Sequence, residues 1–313
     1  MATEQINIEE TSNWLRTEGK LEDSYIVGVL IGRGAFSMVF KCLYKGKTER
    51  ACKVYDKMNL DKNRIQEQIN SLLKLEHPNL IQIHEVYETD KNVQLICDLV
   101  KGEELLERVE KCSYYSERHI AAIINLVLSV LQYLHDKGIA HGAVCPENLN
   151  YESENPKANL KLSDLSLYKS VKSSPTSYYS APDFDSKLTL KEIQLASDVW
   201  NTGMVTYIML CGFEPSPNEL YKYLEDQDED TWTDISPDAR DLLIKMLQPI
   251  PSERITISKA LDHPWIHGTN VRSTHLTTTH SRIKHFNARR KLKATAHAII
   301  ATQRAMTIIR PQR

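Results

Sequence analysis

No acidic residue follows Asp262. From His263 to Arg313 the chain has ten Lys and Arg and no Asp or Glu, although the whole sequence is nearly neutral at −2. The part before His263 therefore carries twelve excess negative charges. Such a division points to a tail that meets the body or an acidic partner, and no nucleic-acid partner is expected. Cysteine is sparse and scattered (Cys42, Cys52, Cys97, Cys112, Cys145, Cys211), with no paired short spacing. That argues against a zinc cluster and a disulfide framework, and suits a reducing compartment. Long hydrophobic runs are lacking too. The longest, Ile120–Leu131, is broken by Asn125 and is short for a bilayer, so no transmembrane segment is expected. Met1–Glu10 is polar and acidic, without the basic-then-apolar run of a secretory signal. The expected location is cytoplasmic, with nuclear entry left open by the basic run Arg289–Lys293.

What is present divides into two patterns. After a polar arm over 1–24, short β-rich runs at Tyr25–Ile31, Met38–Tyr44, Arg50–Tyr55, Leu80–Tyr87 and Val93–Leu99 surround one helical stretch, Asn63–Leu75. From Gly102 the chain turns helical, with long apolar-faced segments at Arg118–Lys137, Lys191–Leu210 and Ser236–Leu247. The expectation is an α+β bilobal fold: a small β-rich lobe over 25–99, a larger helical lobe over 102–266, and a basic tail over 267–313. The tail reads as irregular over Gly268–Ser281 and helical over Ile283–Met306. Its histidine-rich composition shows no ligand spacing and reads as surface. Loop-rich residues 138–185, held on rigid helices, are where chemistry is expected.

Ile31-Gly32-Arg33-Gly34 lies between two expected strands, where glycines let backbone N–H groups approach phosphate oxygens. Ala51-Cys52-Lys53-Val54 then places a cation on a neighbouring strand. Further on come Pro146-Glu147-Asn148, Asp164, Ala181-Pro182, Asp198-Val199-Trp200 with Gly203, and Arg254. In order and spacing this series, over Tyr25–Ile266, resembles the protein-kinase family. Phe36-Ser37, Tyr114–Glu117 and Arg254-Ile255-Thr256 resemble its calcium/calmodulin-dependent branch. Phe286-Asn287-Ala288-Arg289-Arg290-Lys291-Leu292-Lys293 resembles the regulatory segment of the type II enzymes.

The resemblance implies an ATP cleft lined by Ile31, Gly32, Gly34, Val39, Ala51, Lys53, Asp98, Val100 and Glu104, with Asn148 and Asp164 as oxygen ligands for Mg²⁺. It also implies a buried pair between Asp183 and Arg254. The catalytic loop departs from the pattern: where the family has His-Arg-Asp-Leu-Lys-Pro-Glu-Asn, this chain has His141-Gly142-Ala143-Val144-Cys145-Pro146-Glu147-Asn148. Ala143 cannot accept a proton, and loss of a positioned base typically costs about 10²–10⁴ in rate. Cys145 removes a cation that would neutralise the transferring phosphoryl group. Gly142 removes the arginine that grips a phosphorylated activation loop, and Gln68 stands where the strand lysine's ion-pair partner is expected. Asp164-Leu165-Ser166 keeps the carboxylate and changes the residues after it.

The leading expectation is therefore a pseudokinase, catalytically inactive or strongly impaired, that acts through partners; binding of ATP with Mg²⁺ is possible in it, and a nucleotide-free scaffold stays open as a further reading. The alternative is a weak Ser/Thr kinase regulated by calmodulin. In the tail, Leu292, Ala296, Ile299 and Met306 share a helical stripe flanked by Arg289, Arg290, Lys291 and Lys293, which suits a calmodulin groove. A helix packed on the body or lying on an anionic membrane remains the other reading. Thr279 aligns with the family's regulatory phosphorylation position, but Leu276 replaces its recognition arginine, and Thr279 reads as a solvated linker residue. The type II branch carries an association domain for which the chain, ending at Arg313, has no room, so a monomer is expected.

Overall fold

The computed structural model describes residues 19–33, 37–60, 65–165, 181–182, 187–215, 220, 224, 232–268 and 271–292. Five strands form one antiparallel sheet: β1 (Tyr25–Arg33), β2 (Ser37–Tyr44), β3 (Thr48–Asp56), β4 (Ile83–Glu88) and β5 (Asn92–Cys97). Their spatial order is β1-β2-β3-β5-β4, so β1 and β4 are the edges. Lys45 and Gly46, both at positive φ, make the tight turn between β2 and β3, closed by the Lys47 N–H on the Tyr44 carbonyl at 3.0 Å. Positive φ at both central residues matches the right-handed twist of the flanking strands. Helix α1 (Ile65–Leu72) precedes β4.

Past the connection near Asp98–Gly102 the fold is helical. It comprises α2 (Leu105–Lys111), α3 (Glu117–Asp136), the hairpin β6 (Leu149–Tyr151) and β7 (Leu160–Leu162), α4 (Leu190–Cys211), α5 (Pro237–Met246), α6 (Ile257–Leu261) and α7 (Pro264–His267). Ile120, Ile124, Val127, Leu128, Leu131 and Leu134 recur every three to four residues on α3 and are fully buried, packing against α4. By length and composition α3 could cross a bilayer, being longer than the apolar run within it. Its apolar stripe is instead enclosed by the large lobe, as a core helix requires. Every residue of α4 from Ser197 to Cys211 is buried, and the helix ends on Gly212 at φ 81°.

Among the described residues a further helix, α8, occupies 277–292. The irregular stretch expected over Gly268–Ser281 therefore stops five residues earlier than the sequence suggests. Thr279, expected in solvent, is buried, and its hydroxyl donates to the Leu210 carbonyl at 2.8 Å. The late histidines are not uniformly at the surface either. His263 and His280 are buried, the first paired with Asp241 at 2.8 Å and the second donating to the Val109 carbonyl at 2.7 Å.

Candidate functional site

Register places Val39 opposite Lys53 on β2–β3, and Gly32 opposite Val39 on β1–β2, so the Gly-rich strand end lies above the lysine. Gly34 falls outside the described residues. The Lys53 ammonium is bound directly to a carboxylate oxygen of Asp164 and lies 5.3 Å from the centre of the Tyr55 ring. The Tyr55 hydroxyl approaches the same oxygen at 3.4 Å. Asp164 has φ 65°, a left-handed conformation unusual for a side-chain-bearing residue, which the surrounding structure must hold in place. Gln68 lies on α1, with its side chain outside the described part.

Asn148 donates its amide to the Ala143 carbonyl at 2.7 Å. That commits the nitrogen and leaves the amide oxygen for a ligand. The Asn148 backbone carbonyl takes the Ser163 N–H at 2.8 Å, tying this loop to the residue before Asp164. Among the described residues no cluster of three His, Cys, Asp or Glu could hold a metal by itself. One carboxylate and one amide oxygen nevertheless fit Mg²⁺, which ordinarily completes its shell with phosphate oxygens and water.

Asp198, fully buried on α4, organises the catalytic loop. Its carboxylate accepts the His141 and Gly142 N–H groups, both at 2.7 Å, and pairs with His135 at 2.9 Å. Gly142 has φ 73°, so the residue that replaces the family's arginine also serves a left-handed turn. His141 is enclosed, and burial holds its imidazole below the usual histidine range. Ala143 is buried and offers only a methyl group. Cys145 points into the large-lobe core, where burial pushes its thiol well up and leaves it a packing group. Arg254 is buried, donating to the Gln248 and Ala196 carbonyls at 2.9 and 2.7 Å, while Asp183 lies outside the described residues.

The other cleft residues divide. Ile31 is exposed, and Ala51 is buried beside Cys97. The Asp98 carboxylate is taken by His84 at 2.8 Å and Arg50 at 3.5 Å, and the hydrogen bond from His84 lowers its pKa. Only the backbone of Asp98, like that of half-buried Val100, remains for a nucleotide. Glu104 is bound by Arg290 of α8, whose other terminal nitrogen reaches Glu147 at 3.0 Å. Burial raises the Glu104 carboxyl, and Arg290 opposes that rise.

Two more contacts continue the seam along α2, and a third braces α8 itself. Lys291 meets Glu107 at 2.8 Å, Asn287 donates to Glu110 at 2.8 Å, and Asn287 also accepts from Arg290 at 2.9 Å. The Lys291 bond draws the Glu107 carboxyl below its usual range. Arg289 and Leu292 face solvent, whereas Lys293, Ile299 and Met306 lie outside the described residues. Of the residues expected to meet calmodulin, Arg290 and Lys291 are thus engaged with the body itself. Sequence reading missed Asn287, Glu107, Glu110 and Glu147 as members of this seam. The available signal was charge: acidic positions on one short helix, and a basic run far along the chain.

A protein-kinase-domain model matches residues 25–266. The chain belongs to the protein-kinase family. It is 35% identical over 300 residues to human calcium/calmodulin-dependent protein kinase type IV, covering 91% of this chain and 63% of that protein. It is 35% identical over 280 residues to calcium/calmodulin-dependent protein kinase type 1 of Macrobrachium nipponense, covering 83% and 80%. Over 309 residues it is 32% identical to the type II kinase of Caenorhabditis briggsae, covering 93% and 58%. These relatives place this protein kinase in the calcium/calmodulin-dependent branch. The chain spans under two thirds of the length of the type IV relative. In that setting the five-stranded sheet is the kinase small lobe, and the helices from α2 onward are its large lobe.

Proposed function

We propose that this chain is a pseudokinase that clasps ATP with Mg²⁺ and transmits calcium/calmodulin signals through partner contacts, without efficient phosphoryl transfer. The observation that carries this reading is the catalytic loop. Position 143 holds a buried methyl group, and the loop's one carboxylate, Glu147, lies on the side of the loop toward α8, where Arg290 reaches it at 3.0 Å. No group there is positioned to accept a substrate hydroxyl's proton. Lys53 and Asp164 remain together, with the Asn148 oxygen in reach of the same cleft by way of Ser163, which supports retained nucleotide and Mg²⁺ binding.

Calmodulin is the partner this reading assigns to the tail. Arg290 and Lys291 cannot hold Glu104 and Glu107 and an acidic calmodulin rim at once, so binding calmodulin undocks α8. Arg290 also occupies Glu104, the position that the family uses for ribose, so undocking frees the nucleotide site. By linkage, calcium-loaded calmodulin then tightens ATP binding and ATP tightens calmodulin binding by the same factor.

The test is an ATP titration with and without Mg²⁺, and with and without calcium-loaded calmodulin, beside radiolabelled phosphate transfer to a basic peptide. Binding that calmodulin strengthens, with no transfer above a Lys53→Met control, is the expected outcome. Transfer above that control would make the chain a weak Ser/Thr kinase and sink the pseudokinase reading. Restoration is best tried through Ala143→Asp alone, because a lysine at position 145 would have to enter the core that Cys145 fills.

A further inference from the structure

β1 is an edge strand that pairs only with β2 among the described residues, and from Tyr25 to Gly32 it has neither a charge nor a proline. Soluble proteins usually guard such an edge with lysine, proline or a short strand. The opposite edge, β4, is guarded in this way: it is six residues long and carries His84, Glu85 and Glu88. β1 is nine residues long and, after buried Tyr25, it is almost wholly open. Ile26, Val27, Val29, Leu30 and Ile31, with Met38 of β2, are between 39 and 67% exposed. Apolar side chains therefore project from both faces of a free edge, where a half-buried strand would alternate apolar with polar.

The register shows that this strip continues a core. Val27 faces Cys42, Leu30 faces Phe40, and Met38 faces Val54, all on the sheet face opposite Lys53. That face carries the small-lobe cluster of Leu21, Tyr25, Cys42, Cys52, Tyr87 and Ile96, with Phe40 and Val54 packed against it. Tyr25 anchors the start of β1 in this cluster, and Val27 and Leu30 beyond it on the same face stay exposed.

We propose that β1 is a homodimer edge: two copies of this chain pair β1 to β1, antiparallel, and join two five-stranded sheets. A second copy fits because an antiparallel strand lying on itself about a two-fold axis is self-complementary. The edge offers uncharged backbone and apolar side chains, and a like edge returns the same chemistry. The exposed parts of these six side chains amount to roughly 500 Å² per copy, about 1,000 Å² for the pair, at the lower bound for a specific interface. A contact of that size belongs with weak, transient interfaces, so the concentration series is set in the micromolar range. The contact leaves Lys53 and Asp164 free and does not depend on the calmodulin reading; it meets the nucleotide cleft only at Ile31, which belongs to both.

The test is sedimentation velocity on the full chain from about 1 to 100 μM, without calmodulin. The weight-average mass should rise from one chain toward two. Val29→Lys and, separately, Ile26→Lys should weaken dimerisation at least tenfold, with little change in melting temperature, since both positions are exposed. Leu292→Lys, at an exposed apolar residue on α8, should leave it intact. Val29→Thr, which keeps a strand-compatible shape, should weaken it less and gives the reading if the lysine variants misfold. A wild-type mass of one chain at every concentration, or a folded Val29→Lys protein that dimerises like wild type, would overturn the proposal. So would a monomer whose β1 amides are already protected from hydrogen exchange, since the chain itself would then cover the edge.

Discussion

At position 117 a fully buried carboxylate accepts three hydrogen bonds, from the Ser236 N–H and hydroxyl at 2.6 Å each and from the Trp265 indole at 2.9 Å. It joins the start of α3 to the N-terminus of α5 and to α7. Glu117→Ala would strand three buried donors, at a cost of about 3 kcal/mol or more. For a domain of this size that corresponds to a fall of roughly 6–12 °C in melting temperature, measurable by calorimetry. Gly212→Ala tests a different constraint. Its φ is 81°, and an added Cβ would lie 2.5 Å from the Arg282 Cβ and 2.7 Å from the Thr279 carbonyl oxygen. The expected result is a loss of about 1–3 kcal/mol, felt first where α4 meets α8. Thr279 sits in the same contact, and no local sequence feature marks it as buried: what encloses it is Leu210, far earlier in the chain. Ala143, by contrast, was legible at once, because an alanine has no proton-accepting group in any surroundings.

Helix α8 docks by charge along one face and by neutral contacts at its start. Its own Ile283 and Asn287 are fully buried, while Arg290 and Lys291 reach Glu104, Glu147 and Glu107. Arg290→Glu would set like charges against two carboxylates, and hydrogen exchange over 284–292 should accelerate at least tenfold while α3 stays protected. Rising salt should loosen the same residues in the wild type, since Lys291 and Glu107 are partly exposed. The sequence shows the helical period from Ile283 onward and not the first turn over 277–282. There the helix is held by polar residues, Thr279 and His280, whose partners are carbonyl oxygens of Leu210 and Val109. Apolar periodicity cannot reveal a turn anchored by hydrogen bonds.

Across the whole molecule, acid acts through groups whose protonation differs between the folded and unfolded chain. His141 is held below its ordinary range by burial, so the folded protein binds fewer protons there than the unfolded chain. Its contribution is fully present above the unfolded histidine value of about 6.5 and is lost as pH falls below it. Asp98 and Glu107, lowered by His84 and Lys291, contribute with the same sign at lower pH. Glu104, raised by burial, acts in the opposite sense and offsets part of the loss. Melting temperature should therefore be nearly level from pH 8 to 7, decline from about pH 6.5, and drop more steeply below about pH 4. A profile that rises on acidification from pH 7 to 5 would contradict this assignment.

Family, lobe order and the departures from the catalytic-loop pattern could be read without coordinates because they reside in residue identity and short spacing: two glycines before a strand lysine, an alanine and a cysteine in the catalytic loop. Which carboxylates the basic tail takes could not be read that way. Arg290 and Glu104 stand 186 residues apart, and Thr279 and Leu210 69 apart. Nor does the apolar run of β1 announce whether it is a covered strand or an open edge. Those facts depend on which surfaces the folded chain brings together, and a local pattern holds no record of its distant neighbours.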